Sequence, residues 1–395
     1  MKVGVFVEEG LPQTGGGYTI QGDLFQALVE HAQETNHEFV VFSRKHTEIA
    51  PLLKDSPVKT MSFPGTLTQR LFSNVSRGIK ARRKHRKRQT RFEEVAAAND
   101  IEFIWFVGAE AMQVDLPYMA IVWDLQHRLQ PWFPEVSVGG SWAHRENFYS
   151  EFLRRATFII AGTTAGAEEI KRFYQVPPER IQILPHPTPT FALYPTDGTP
   201  DVLKKFSLPP NYLFYPAQFW AHKNHSTLLS ALEILKKENS LEVPLVLVGS
   251  DKGNREYLTR LVRQMDLTEQ VHFVGFVAQE DLLQLYRHAL ALTYVSYFGP
   301  ENLPPLEAFA LGCPVIAAAV SGSEEQLGNS ALLVNPKDAH AIARAIAELH
   351  QNADLRATLI AKGKTKATSW TATHFVRGVF SILDSFEVVR RCWDK

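Results

Sequence analysis

Cysteine is nearly absent from the sequence. Two thiols in 395 residues, Cys313 and Cys392, can build neither a disulfide framework nor a four-thiolate zinc site, so a reducing compartment is the simpler expectation. Long apolar runs are missing too. Nothing approaches the ~20 residues that span a bilayer, and the opening Met1-Lys2-Val3-Gly4-Val5-Phe6-Val7-Glu8-Glu9 meets two carboxylates too early for a secretory leader. Net charge is also lacking, with 42 Lys and Arg against 42 Asp and Glu, so the whole chain has no general pull toward nucleic acid or acidic lipid. No short internal repeat is visible. These absences leave a soluble, cytoplasmic chain as the expectation.

What is present is an ordinary globular composition, 45% apolar and 21% charged, in a chain too long for one core. Short β-rich runs alternate with helical stretches throughout, the pattern of parallel sheets with helices on both faces. Strands are expected at 2–8, 37–43, 103–107, 118–123, 156–161 and 180–184, and again at 212–217, 244–249, 271–277, 289–295, 314–319 and 331–335. Helices are expected at 338–350, 354–363 and 370–387, the last with Phe375, Val379 and Leu383 four residues apart. Between the two strand series, Pro187-Thr188-Pro189 and Tyr194-Pro195-Thr196-Asp197-Gly198-Thr199-Pro200 can support neither a ladder nor a helix interior. The expected division is a first α/β domain over 1–190, a linker over 191–208, a second domain over 209–369, and a C-terminal helix over 370–395 that packs back on the first domain. Open parallel sheets bind ligands at the carboxyl ends of their strands, so chemistry is sought in the loops that follow them.

Four such loops carry informative residues. After the first strand, Gly15, Gly16 and Gly17 precede a helical stretch and would let backbone amides approach an anion, although a plain flexible loop has the same composition. A dinucleotide fingerprint is incomplete there, because position 20 is Ile20. At the end of the fourth strand candidate, Asp124, Gln126, His127 and Arg128 can grip hydroxyls or handle a proton, or can serve only as loop structure. Lys223 stands where a helix begins, a poor place for a cation unless an anion shares it, since the helix dipole favours negative charge at that end. His222 and His225 flank it without a third ligand of suitable type, so no metal is expected. The richest stretch is Tyr294 to Val315, where a strand runs through Gly299-Pro300-Glu301-Asn302 into a short helix that begins with prolines and stops at Gly312. Asn302 and Leu303 can offer amides at that start. Glu307, one turn in, suits a pair of vicinal ribose hydroxyls, unless it merely complements the dipole.

Here the sequence resembles retaining glycosyltransferase family 4. The likeness rests on residues 303–319, on Lys223-Asn224, on the strand Leu245-Val246-Leu247-Val248-Gly249, and on Val274-Gly275-Phe276-Val277 followed by Leu285-Tyr286. It implies the GT-B fold, two Rossmann-like α/β domains facing across a cleft, with the nucleotide-sugar donor held by the second domain. By that resemblance Gln218, Lys223, Gly249, Phe276, Val277, Asn302, Leu303 and Glu307 line the donor, Glu307 on the ribose, while Gly15, Gly16 and Gly17 lie against its phosphates. The chain departs from the family at three points. Gly299 stands eight residues before Glu307, where the family has its first glutamate, and Glu301 can substitute from two residues away. Gln218 replaces the basic residue five before Lys223. Trp123-Asp124 replaces His-Asp, with His127 as a stand-in.

Glycosyl transfer builds charge on a departing phosphate, which must be stabilised. The sequence has no Asp-x-Asp pair, so Lys223, helix N-termini and the glycine amides are expected to do this without a metal or any other cofactor. Asp124, His127, Lys223 and Glu301 are the expected catalytic residues. The expected activity is retaining transfer of a hexose, with UDP-glucose preferred over GDP-mannose, to a saccharide or lipid-linked saccharide in polysaccharide biosynthesis. A non-catalytic relative that binds a nucleotide or sugar is the rival reading, given the altered Trp123, Gln218 and Gly299. A glycan phosphorylase lacks support, because no pyridoxal phosphate motif is found. The neutral total also hides an asymmetry. Ten cations and no acid lie between Arg70 and Arg91, beside an apolar stripe of Leu67, Leu71 and Val75. Such a segment, residues 67–91, can lie on an anionic membrane surface at the inner face of the plasma membrane, or be a solvated helix. Nucleic acid is not expected as a partner, since no aromatic side chains interleave with the densest cations.

Overall fold

The structure is a computed structural model that describes residues 1–7, 16–43, 57–62, 91–109, 111–195 and 201–393. It contains two open sheets. The first has seven strands, β1 (Lys2–Phe6), β2 (Glu38–Ser43), β3 (Lys59–Ser62), β4 (Phe103–Phe106), β5 (Tyr118–Val122), β6 (Phe158–Ala161) and β7 (Ile181–Ile183), in the order β3-β2-β1-β4-β5-β6-β7. The second has six, β8 (Tyr212–Pro216), β9 (Leu245–Val248), β10 (Val271–Gly275), β11 (Ala289–Tyr294), β12 (Val315–Ala318) and β13 (Leu332–Val334), in the order β10-β9-β8-β11-β12-β13. Every neighbouring pair of the second sheet is parallel, and so are the pairs from β3 through β5 in the first.

All twelve expected strands are present. Parallel strands covered on both faces read as unbroken apolar runs, and Phe103-Ile104-Trp105-Phe106 and Leu245-Val246-Leu247-Val248 are buried along their whole length. Each such side chain contributes roughly 1.5–3 kcal/mol by leaving water. The strand that patterning missed is β3, Lys-Thr-Met-Ser. Among the described residues it pairs only with β2, and an edge position does not demand a continuous apolar run.

Two compact units emerge from the packing. One comprises Met1–Ile121, Arg155–Ile159 and Val376–Lys395. The other comprises Val122–Arg154 and Ile160–Phe375. Within the first unit, the helix Ala372–Arg390 from Val376 onward sets Phe380 against Phe39 and Phe386 against Phe103, with ring centroids 5.5 and 5.2 Å apart. Arg377 grips Glu34 through two hydrogen bonds of 2.8 and 2.9 Å. Within the second unit, helices Ala339–Gln351 and Ala353–Ser369 start at Asp338 and Asn352, whose side chains accept from the third amide beyond and so satisfy donors that the helix leaves unpaired. Among the described residues, no helix is long and apolar enough to cross a membrane. The basic segment lies outside the described residues apart from Arg91, which opens the helix Arg91–Ala98.

Candidate nucleotide-sugar site

In the second sheet, chain order runs outward from β8 in one direction and from β11 in the other. The loops after these two adjacent strands therefore diverge and leave a crevice at their carboxyl ends. Lys223 and Tyr294 meet there. Lys223 ends a short 3-10 turn, Ala221–Lys223, in the loop after β8, and Tyr294 is the last residue of β11. The Lys223 ammonium donates to the Tyr294 hydroxyl at 2.8 Å and lies 5.1 Å from the ring centroid.

The Lys223 loop is fixed from below. Asn224 takes a left-handed conformation (φ 59°) and is buried, its amide donating to Val295 O at 2.9 Å and Pro336 O at 2.7 Å. The Tyr215 hydroxyl donates to the Lys223 carbonyl. His225 is stacked on Tyr215 with centroids 4.7 Å apart, and burial pushes its pKa down to about 3, so it is a neutral core histidine. Gly249 explains the close passage of the next loop: its φ of +154° favours glycine, and any Cβ there would overlap the Ala217 carbonyl. Gln218 accepts from Trp220 Nε1 at 2.9 Å. Beyond β10, Phe276 is 56% exposed and Val277 is buried.

The helix Leu303–Leu311 presents Glu307 buried one turn from its start, and the Tyr286 hydroxyl donates to Glu307 Oε2 at 2.6 Å. Two expectations about this loop need correction. Asn302 does not offer a free amide, because its N–H donates to Gln326 Oε1 at 3.0 Å and Gln326 Nε2 returns a bond to the Asn302 carbonyl at 3.0 Å. Leu303 keeps an N–H with no protein partner among the described residues, while Pro304 and Pro305 have none to give. Glu301 does not present a carboxylate to solvent either. Its side chain is 3% exposed, Oε1 accepts from His186 N at 2.7 Å, and the carboxyl packs where a Cβ on Gly162 would sit. Burial pushes its pKa up to about 8.

On the other side, Asp124 follows β5. Its Oδ1 accepts from Gln126 N at 2.9 Å and from Arg145 at 2.7 Å. Burial works to raise the Asp124 pKa, but the Arg145 guanidinium and the Gln126 amide outweigh it and hold the carboxyl below its ordinary value. His127 is enclosed, 0% exposed, its Nε2 meeting the Tyr174 hydroxyl at 3.1 Å, and burial pushes its pKa down to about 4. It faces protein rather than solvent, so it can position the loop but does not stand in as an exposed sugar contact. The neighbouring Arg128 pairs with Glu146, which also accepts from Tyr174 at 3.1 Å. One helix, Ser141–Arg155, thus fixes the Asp124 loop through two consecutive residues, Arg145 and Glu146.

Sequence reasoning did not anticipate how Asp124 and Lys223 are joined. Glu135, in the short helix Pro134–Ser137, accepts from both the backbone N–H of His222, at 3.0 Å, and its Nδ1. Gln130 donates to Tyr297 O at 2.9 Å, and Phe133 stacks on Tyr297. The charges of Lys223, Glu135 and Asp124 all act on the His222 ring. Asp124, His222 and Lys223 are therefore brought together, with Glu307 on the helix beyond β11. Gly15 lies outside the described residues, and Gly16 and Gly17 form the start of the helix Gly16–His31.

Residues 203–366 match the family model described as glycosyl transferases group 1. The chain is 29% identical over 232 residues to O-antigen chain mannosyltransferase B of Escherichia coli, covering 58% of this chain and 61% of that protein. It is 29% identical over 233 residues to a D-inositol 3-phosphate glycosyltransferase of Streptomyces scabiei, covering 56% and 52%. The chain thus spans between half and two thirds of the length of these curated relatives. Among solved structures, sucrose-phosphate synthase from Thermosynechococcus elongatus matches with a TM-score of 0.71 at 19% identity over 98% of this chain and 99% of that one. HepE of Anabaena, in complex with UDP and glucose, matches with a TM-score of 0.70 at 18% identity over 98% and 100%. With two α/β sheets and these structural matches the chain has the GT-B fold, and its residues 203–366 match the group 1 glycosyl transferases.

Proposed function

We propose that the protein is a retaining glycosyltransferase that moves a hexose from a nucleotide-diphosphate sugar to a saccharide or lipid-linked saccharide in polysaccharide biosynthesis. The observation that carries this reading is the Lys223 ammonium, held by Tyr294 at the carboxyl ends of β8 and β11, with Glu307 oriented by Tyr286 on the next helix. A cation at a strand-end crevice suits a diphosphate. Glu307 suits the ribose hydroxyls, and the Leu303 amide adds a donor at a helix start.

In the proposed reaction the acceptor oxygen bonds to the anomeric carbon while the bond from that carbon to the phosphate oxygen breaks. The electron pair leaves with the nucleoside diphosphate, and the departing phosphate oxygen takes the acceptor's proton. Lys223 stabilises the growing phosphate charge, so neither a dedicated base nor a metal or other cofactor enters the proposal. Asp124, set by Arg145, positions hydroxyls. His127 and Glu301 act through packing and hydrogen bonds behind the site.

UDP-glucose is the donor suggested by the sequence, and the mannosyltransferase relatives favour GDP-mannose as the second reading. The test incubates the purified protein with UDP- and GDP-hexoses, with and without chelator, and follows released nucleoside diphosphate and the anomeric configuration of the product. Release from one donor, unaffected by chelator and with configuration retained, is expected. Binding without release from any donor would instead mark a non-catalytic relative.

A further inference from the structure

Glu135 has no part in the reaction above, yet its carboxylate is nearly sealed from solvent, 7% exposed, and spends one oxygen on two bonds to a single residue, His222. The charge is real. Burial works to raise the Glu135 pKa, but the bonds from His222 outweigh it and keep the group ionised. An ionised carboxylate only accepts, so His222 Nδ1 must be the donor and carries the ring hydrogen. Burial first, and then the Lys223 charge, outweigh the bond to Glu135 and hold His222 below its ordinary pKa, which favours the neutral ring. Nε2 is consequently a fixed lone pair.

That lone pair has no protein partner among the described residues, and it does not belong to the set of sealed, unpartnered polar atoms, which includes the second oxygen of Glu135. It is thus open to solvent in a site that also holds Asp124 and Lys223, both of whose charges act on the same ring. A phosphate oxygen cannot satisfy it, since an acceptor meets an acceptor. A hydroxyl can.

We infer that His222 Nε2 accepts a hydrogen bond from one particular hydroxyl of the sugar undergoing transfer or of the acceptor sugar, and that Glu135 is the positioning residue that fixes its tautomer. The assignment rests on the glycosyl-transfer reading. It makes His222 a specificity-determining residue: a site built to accept from a hydroxyl discriminates against the compound that lacks it.

The experiment compares the protein with His222→Phe and Glu135→Leu, using the donor it turns over, the donor's monodeoxy analogues, and deoxy acceptors. In the parent, one deoxy compound is expected to lose about tenfold to a hundredfold in kcat/KM. On His222→Phe and Glu135→Leu that same compound loses less than about twofold relative to the full sugar, while every other deoxy compound loses the same factor in all three proteins. Whether the coupled compound is a donor or an acceptor tells which sugar is read. Equal losses for all compounds in parent and variants overturn the assignment and leave His222 a structural residue. Nitrogen-15 NMR of the parent supplies a readout independent of turnover: a protonated Nδ1 with a bare Nε2 is expected, and the opposite tautomer overturns the assignment. A parent that turns over no nucleotide sugar refutes the transfer reading and this assignment with it. Turnover without a coupled hydroxyl refutes the His222 assignment alone.

Discussion

A carboxyl with a pKa of about 8 inside a folded protein makes stability depend on pH, and Glu301 offers a clean test. In the unfolded chain the group returns to its ordinary value of 4.5. The folded state therefore binds one more proton than the unfolded state across the window between those two values. Stability from this group is fully present below about pH 4.5 and is lost as pH rises through about 8. At roughly 1.4 kcal/mol per unit, the whole window amounts to something on the order of 5 kcal/mol, and the span from about pH 5.5 to 7.5 to about 2.5 kcal/mol. Glu301→Gln removes the titration while keeping an oxygen that can accept from His186 N, now at 2.7 Å. Urea unfolding of parent and variant at pH 5.5, 6.5, 7.5 and 8.5 measures the difference. The two should be similar in stability at the acid end, and the variant should gain on the parent by roughly 1.3 kcal/mol per pH unit until the gain levels off above pH 8. A difference that does not change with pH would refute the argument, since it would mean the carboxyl already titrates in its ordinary range in the fold.

Lys223→Ala should lose about 1.5–3 kcal/mol of charge-assisted stabilisation, a tenfold to hundredfold fall in donor turnover, and turnover equal to the parent would remove Lys223 from the mechanism. Tyr286→Phe deletes the 2.6 Å bond to Glu307 and should weaken nucleoside diphosphate binding by roughly fivefold to thirtyfold, read by calorimetric titration. Asn224→Ala leaves the buried Val295 and Pro336 carbonyls without their shared donor and should cost about 2–4 kcal/mol in urea unfolding. Vesicle flotation tests the basic segment: binding to anionic but not neutral vesicles, lost when the cations between Lys80 and Arg88 are replaced by Gln, is expected.

The strand series was legible because parallel strands buried on both faces leave continuous apolar runs, and the helix Ala372–Arg390 because Phe375, Val379 and Leu383 fall on one face. Lys223 and Glu307 were legible for a different reason. A cation at a helix start and an acid one turn into a helix are local oddities that need no tertiary knowledge to notice. Glu301 shows where local reading stops. Its place in the turn suggested a substitute for a missing glutamate, but the carboxyl fills the space that the missing Cβ of Gly162 leaves, and His186 supplies the donor that holds it there.

By itself, then, the sequence determined the two-sheet α/β class and singled out Lys223 and Glu307, in the loops after β8 and β11, as candidates, because periodicity, turn residues and dipole mismatches are properties of neighbours along the chain. Tertiary structure alone decided the protonation and orientation of those loops. Arg145 reaches Asp124 across 21 positions, Tyr286 reaches Glu307 across 21, and Glu135 reaches His222 across 87. Burial then sets which of these groups carry charge. Neither a partner distant along the chain nor its desolvation leaves a mark on local composition, so the electrostatics of the site belong to the fold.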